Sequence, residues 1–172
     1  MVVDSNLSML AQTRPERDEF RTAMARIATA VHVITTAGPG GRAGFTASAV
    51  CSVTDTPPTL LVCLNRSASV YDAFEENKML CVNSLSRSQE PLANLFGGGT
   101  PMPERFAAAS WSRLATGAPV LKGALAAFDC RVTSKFDIGT HTVLFCQVEG
   151  ILRDDQAEAL IYFERRYCAV GN

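Results

Sequence analysis

Apolar side chains first recur in helical register at Phe20, Met24 and Ile27, behind Thr13 and Pro15. Steps of four and three residues mark one face of an amphipathic helix. The rhythm then turns β-branched over Val31–Thr36, breaks at Gly38-Pro39-Gly40-Gly41, and resumes as an extended run from Gly44 to Thr54. Asp55-Thr56-Pro57-Pro58 interrupts before a third run, Thr59–Asn65. Three extended runs separated by Gly/Pro breaks, with no helix between them, predict antiparallel pairing. A short helix follows over Ser69–Asn77, then a strand over Met79–Asn83 and a helix over Ser88–Phe96 that ends at Gly97-Gly98-Gly99. The stretch containing Pro101, Pro103, Glu104, Arg105, Phe106 and Trp111 reads as a loop. Phe128–Phe136 alternates, with Asp129, Arg131, Thr133 and Lys135 on one face and Phe128, Cys130, Val132 and Phe136 on the other. His141–Leu152 gives the longest strand, and Leu160–Phe163 closes the pattern. This order does not repeat βα units, so it predicts a mainly β protein, an antiparallel barrel with peripheral helices.

At 172 residues the chain has the size of one domain, with residues 1–14 as an N-terminal extension and 15–172 as the domain. No apolar run is longer than Leu60–Leu64, which is too short to cross a membrane, and no basic, then apolar leader opens the sequence. Sixteen Lys and Arg against seventeen Asp and Glu leave no basic field for nucleic acid. Cysteines at 51, 63, 81, 130, 146 and 168 form no CxxC pair. Four of them lie in apolar strand runs, where a thiol packs as a small hydrophobe. The expectation is reduced core cysteines, no metal centre and a reducing, cytoplasmic setting.

Gly38-Pro39-Gly40-Gly41-Arg42-Ala43 fits a relaxed dinucleotide fingerprint, but a β-leaning segment follows where that site needs a helix N-terminus. It is a hairpin turn. Between Ile27 and Tyr71 the only charged residues are Arg42, Asp55 and Arg66. Arginine suits phosphate because its planar fork donates two parallel hydrogen bonds. Arg42, among glycines, reads as a turn ornament. Asn65, Arg66, Ser67 and Ser69, by contrast, gather amide, guanidinium and hydroxyl donors at one strand end. That chemistry suits a phosphate and the polar edge of a planar heterocycle.

The run Gly44-Phe45-Thr46-Ala47-Ser48-Ala49-Val50-Cys51-Ser52-Val53-Thr54-Asp55-Thr56-Pro57-Pro58, continued through Thr59–Arg66, resembles the signature of the short-chain flavin reductases. The likeness continues through Leu80–Asn83, Asn94–Gly98, Glu104-Arg105-Phe106, Gly139-Thr140-His141, Tyr162-Phe163 and Tyr167, covering about residues 17–168 in order. The pattern is close to that of the reductases of pyrimidine utilisation and of 4-hydroxyphenylacetate hydroxylation. The resemblance implies an FMN-binding split barrel and a homodimer. It implies reduction of FMN or FAD by NADH or NADPH for a partner monooxygenase. A related branch implies a corrinoid acceptor of cobalamin synthesis, and a flavin-binding barrel without enzymatic activity is the remaining alternative.

Carried over by position, the resemblance sets Thr46, Ala47, Ser48 and Ala49 against the flavin ring, with Cys63 and Leu64 along it. Many relatives have Asn where this chain has Ser48. Ser52, Asn65, Arg66, Ser67 and Ser69 would receive the ribityl-phosphate, and Asn83, Arg105 and Phe106 would close the pocket. His141 and Tyr167 would receive the nicotinamide nucleotide, His141 as the one catalytic residue. Without the Gly-Thr-His context His141 would read as an ordinary strand start, and His32, which lacks such context, reads as a barrel or interface residue. Phe96 and Trp111 read as core or interface aromatics.

Overall fold

The computed structural model describes residues 15–171; the extension expected over 1–14 lies outside the described residues. Helix α1 (Arg17–Met24) precedes β1 (Thr29–Ala30), β2 (His32–Thr36), β3 (Ala43–Ala47), β4 (Val50–Asp55) and β5 (Pro58–Asn65). Then come α2 (Tyr71–Asn77), β6 (Met79–Ser84), a 3-10 turn (Arg87–Gln89), α3 (Glu90–Gly97) and α4 (Met102–Ala107). Strands β7 (Trp111–Arg113), β8 (Pro119–Leu121), β9 (Ala126–Ile138), β10 (His141–Arg153), β11 (Ala159–Phe163) and β12 (Arg166–Val170) complete the order.

The main sheet has seven strands in the order β3-β2-β6-β9-β10-β5-β4, every pair antiparallel. The extended run expected over Gly44–Thr54 is therefore two strands, and they occupy opposite edges of this sheet. Laid flat, seven strands would separate those edges by about 28 Å. Only Ser48 and Ala49 join β3 to β4, and three Cα steps reach about 11 Å at most. The sheet must curl until its edges meet, and the result is a barrel split at Ser48-Ala49. The Cys63 N–H donates to the Ala49 carbonyl at 3.0 Å, which carries the β4–β5 ladder up to the split.

Ile34, Val62, Leu64, Leu80, Val82, Leu144 and Cys146 fill the barrel. A second core lies outside it, where Val31 and Val33 meet Leu92, Phe96, Phe106 and Leu160. Its aromatics pack edge to face: Phe96 and Phe106 have centroids 5.3 Å apart, and Phe96 and Trp111 5.8 Å. Gly44 lets α3 approach, because a Cβ there would stand 2.7 Å from the Phe96 ring. This places the C-terminal end of α3, Phe96-Gly97, over β3.

The segment after Gly99, expected as a loop, contains α4 and β7. Pro103 lies in the first turn of α4, where its missing N–H costs no helical hydrogen bond. Strand β12 was not signalled either. Glu164 and Arg165 both take positive φ, 50° and 61°, to turn β11 into β12 without a glycine. Asp129, grouped by alternation with the polar face of β9, is fully buried. Its carboxylate accepts from the Thr116 N–H at 2.8 Å and from the Thr116 hydroxyl, since the β7–β8 connection folds over that end of the strand. The Gly38–Gly41 segment is the turn of the β2–β3 hairpin, as expected, and Asn77 clasps it through the Gly40 N–H and the Gly41 carbonyl, both at 2.8 Å. Arg42 at its end stacks over Phe106 at 4.4 Å and so shields the outer core.

Candidate functional site

Where the barrel splits, a cleft of about 330 Å³ opens, lined by Thr46, Ala47, Ser48, Ala49, Cys63, Leu64, Asn65 and His141, with Phe96 and Gly97 of α3 opposite. These residues are remote in sequence and meet for two reasons. Strand β3 ends against α3, where the Thr46 hydroxyl donates to the Ala93 carbonyl at 2.7 Å. Strands β5 and β10 pair so that Asn65 faces His141. Because β3 and β4 part company at Ser48-Ala49, the N–H groups of these two residues find no backbone acceptor among the described residues. They are available to a ligand. Opposite them Gly97 has no side chain; a Cβ there would reach to 3.7 Å from Thr46 and occupy the slot.

The rim beyond Asn65 is polar and exposed. The Asn65 side-chain oxygen accepts from the Ser67 N–H and the Ser67 hydroxyl, both at 2.9 Å, which folds the chain back on itself. Arg66, Ser67 and Ser69 flank the lining residues Asn65 and Ala68. Arg66 donates to Asp137 at 3.0 Å and also to the Gly139 carbonyl. His141 is half-buried, and its Nδ1 lies 2.9 Å from the Thr140 hydroxyl. That leaves Nε2 without a protein partner among the described residues. Across the Thr46–Ser48 ridge a smaller hollow of about 150 Å³ is lined by Val31, Tyr162 and Tyr167. Burial, with Tyr162 and Glu90 near, pushes the Tyr167 phenol above its ordinary value, so it stays a neutral donor.

The structure thus brings together Thr46, Ala47, Ser48, Ala49, Cys63, Leu64, Asn65 and His141. Tyr167 touches the same ridge from the other side, so His141 and Tyr167 share no single cavity. Ser52 is exposed on β4 and does not line the cleft. Three expected pocket residues are corrected. Asn83 is fully buried: its amide donates to the Val33 carbonyl at 2.9 Å and its oxygen accepts from the Leu121 N–H at 2.7 Å. It fastens β8 to the sheet. Arg105 is also buried, donating to the carbonyls of Thr100 (2.6 Å), Gly98 (2.6 Å) and Phe96 (3.0 Å). A cation meeting these carbonyls, and that of Gly44 in β3 at 3.4 Å, holds the Gly97–Thr100 loop in place against the sheet, and it reaches the cleft through that loop. Phe106 lies in the outer core. Sequence reasoning did not place Gly97 or Ala68 in the lining, although the Asn94–Gly98 motif runs through the former. It also missed Tyr162, whose ring stands 5.3 Å from that of Tyr167.

No two of the six thiols are bridged, and three of them, Cys81, Cys130 and Cys146, are buried. Burial pushes the Cys146 thiol up to about 12, and raises Cys81 and Cys130 further. Among the described residues no cluster of His, Cys, Asp and Glu is arranged to hold a metal ion. No helix there is long and apolar enough to cross a membrane.

The chain is 59% identical over 160 residues to the FMN reductase (NADH) RutF of Yersinia enterocolitica, a span covering 93% of this chain and 88% of that one. A solved structure of a candidate flavin reductase from Haemophilus somnus superposes with a TM-score of 0.89 at 47% identity, covering 91% of this chain and all of the other. BorF, the flavin reductase component of a bacterial two-component tryptophan halogenase, gives a TM-score of 0.84 at 29% identity, covering 91% and 99%. The split barrel is the fold of these flavin reductases, and with residues 24–171 matching the flavin reductase like domain, the chain belongs to that family.

Proposed function

We propose that the chain is an NADH:flavin oxidoreductase that reduces FMN and passes the reduced flavin to a separate monooxygenase component. The observation that carries this reading is the break at Ser48-Ala49, which opens a cleft lined on its other elements by Gly97 and His141. Relatives named FMN reductase (NADH) support FMN and NADH as the pair. Structural neighbours that serve as reductase components support the hand-over. Neither the cleft nor the relatives add support for a corrinoid acceptor.

The residues present fit a flavin. The free Ser48 and Ala49 N–H groups suit the carbonyl-bearing edge of a planar heterocycle, and Thr46 and Gly97 leave room for its plane. Arg66, Ser67 and Ser69 would hold a phosphate at the rim. A bound flavin supplies the hydride-accepting ring and NADH the hydride; the protein's part is binding, orientation and electrostatics. Donors fixed before the reaction favour the charge that develops on reduction, because no reorganisation is needed at that moment. His141, with Nδ1 steadied by Thr140, would offer Nε2 to the carboxamide or a phosphate of NADH. No acid–base dyad is required.

The protomer works as a homodimer in this reading. Phe20, Met24 and Ile27 are exposed on and just after α1, which has no buried residue of its own. Ile151 and Leu152 add exposed apolar surface. A twin subunit would cover such patches. Anaerobic stopped-flow with NADH and FMN tests the activity. Flavin that dithionite reduces but NADH leaves oxidised would overturn it.

A further inference from the structure

One rim of the cleft is built from two neighbouring segments of different elements, Asn65–Ser69 at the end of β5 and Gly139–His141 at the start of β10, where Asn65 pairs with His141. Arg66 clasps the second from the first twice. Its backbone N–H donates to the Thr140 carbonyl at 3.1 Å, and its guanidinium donates to the Gly139 carbonyl. Gly139 takes φ +57°, a left-handed conformation that a glycine adopts without strain.

Asp137 fixes this clasp from behind. One carboxylate oxygen accepts from Arg66 at 3.0 Å, and the other accepts from the Thr142 hydroxyl at 2.6 Å. Thr142 is fully buried, and its oxygen also lies 3.1 Å from the Tyr71 hydroxyl at the start of α2. An exposed ion pair ordinarily adds little to stability. Here, though, one partner is tied to a buried hydroxyl, which limits where the guanidinium can sit. The Thr142 hydrogen bond first, then Arg66 and Lys135, hold the Asp137 carboxyl below its ordinary value against the opposing effect of desolvation, so it is charged at neutral pH. Arg66 has five N–H donors, and two bonds to Asp137 and Gly139 leave others for a ligand.

We infer that Asp137 is a positioning residue: through Arg66 and Thr142 it locks the Gly139–His141 segment to the Asn65–Ser69 segment, so that the phosphate end and the nicotinamide end of this rim are held as one unit. The inference rests on the proposed flavin reduction for what each end binds, but the clasp itself can be read without activity.

The test compares wild type with Asp137→Ala and Asp137→Asn, the latter keeping an oxygen that can accept from Arg66 and an amide that can donate to the Thr142 hydroxyl oxygen. For Asp137→Ala the expected result is a several-fold loss of preference for FMN over riboflavin, together with a rise in KM for NADH on the order of 10-fold. Dithionite reduction and kcat at saturating NADH should stay near wild type, and Asp137→Asn should recover most of both losses. Hydrogen exchange should show faster exchange at the Arg66 amide in Asp137→Ala and restored protection in Asp137→Asn. Unchanged ligand preference, KM and exchange would reduce the pair to a surface ion bridge and overturn the inference. A change at only one end would overturn the single unit, and a general loss of folding in both variants would make the role structural. If the wild type itself failed to reduce FMN with NADH, the proposed function would fall, while exchange at Arg66 would still decide the clasp.

Discussion

His32 ties the stability of the barrel to pH. It sits at the end of β2, buried between Ala47 of β3 and Ser84 of β6, with Nδ1 3.0 Å from the Ser84 hydroxyl. Among the described residues no carboxylate accompanies it, and burial holds its pKa down from 6.5 to about 4. The folded value lies below the unfolded one, and the unfolded chain therefore binds more protons throughout that window. The stabilisation is complete above about pH 6.5 and is lost as pH falls through the folded value near 4. Each pKa unit is worth about 1.4 kcal/mol, so roughly 2 kcal/mol is gone near pH 5 and roughly 3 kcal/mol below pH 4. With a urea slope of about 2 kcal/mol per molar, the first of these moves the unfolding midpoint down by about 1 M. Carboxylates also titrate on the acid side, so the measurement is a difference: urea unfolding of wild type and His32→Gln at neutral pH and near pH 5, at one protein concentration. Gln can still bond to Ser84 but cannot take up a proton. The wild type should lose about 1 M more than the variant between the two conditions. Equal losses would refute the reasoning and mean that water already reaches the ring.

Other expectations concern the cleft and the assembly. His141→Ala should bind FMN with a normal spectrum yet slow its reduction by NADH on the order of 10- to 100-fold in kcat/KM, the cost of one lost hydrogen bond of about 1–3 kcal/mol; loss of flavin with unchanged NADH kinetics per bound flavin would move His141 into the flavin pocket instead. Arg66→Ala should weaken FMN far more than riboflavin in fluorescence titrations, and equal losses would remove Arg66 from the phosphate. Gly97→Leu should melt close to wild type but abolish flavin binding, since its side chain would stand in the slot beside Thr46; retained affinity would show that the ring lies elsewhere. Light scattering at micromolar concentration should give a dimer, and a monomer would contradict the covering of Phe20, Met24 and Ile27.

The hydrophobic pattern by itself determined the strand-rich, antiparallel character of the chain and the β2–β3 hairpin, because period-two alternation and Gly/Pro turns are local properties. It also placed the polar rim from Asn65 to Ser69, which is contiguous in sequence. Strand β12 and helix α4 escaped it: Glu164 and Arg165 make a tight turn without the glycine that would announce one, and Pro103 looks like a breaker although it sits where a helix tolerates it. Only the tertiary structure decided that Gly44–Thr54 is two strands on opposite edges, since nothing local distinguishes a continuing strand from one that changes partner at Ser48. It likewise turned Asn83 and Arg105 from pocket residues into fasteners. Whether a buried amide or guanidinium meets a ligand or a carbonyl depends on which distant backbone packs beside it, Val33 and Leu121 for Asn83 and the Phe96–Thr100 turn for Arg105. The donor types at the site were therefore legible in the chain, but their aim was not, because aim is set by long-range packing that residue identity does not encode locally.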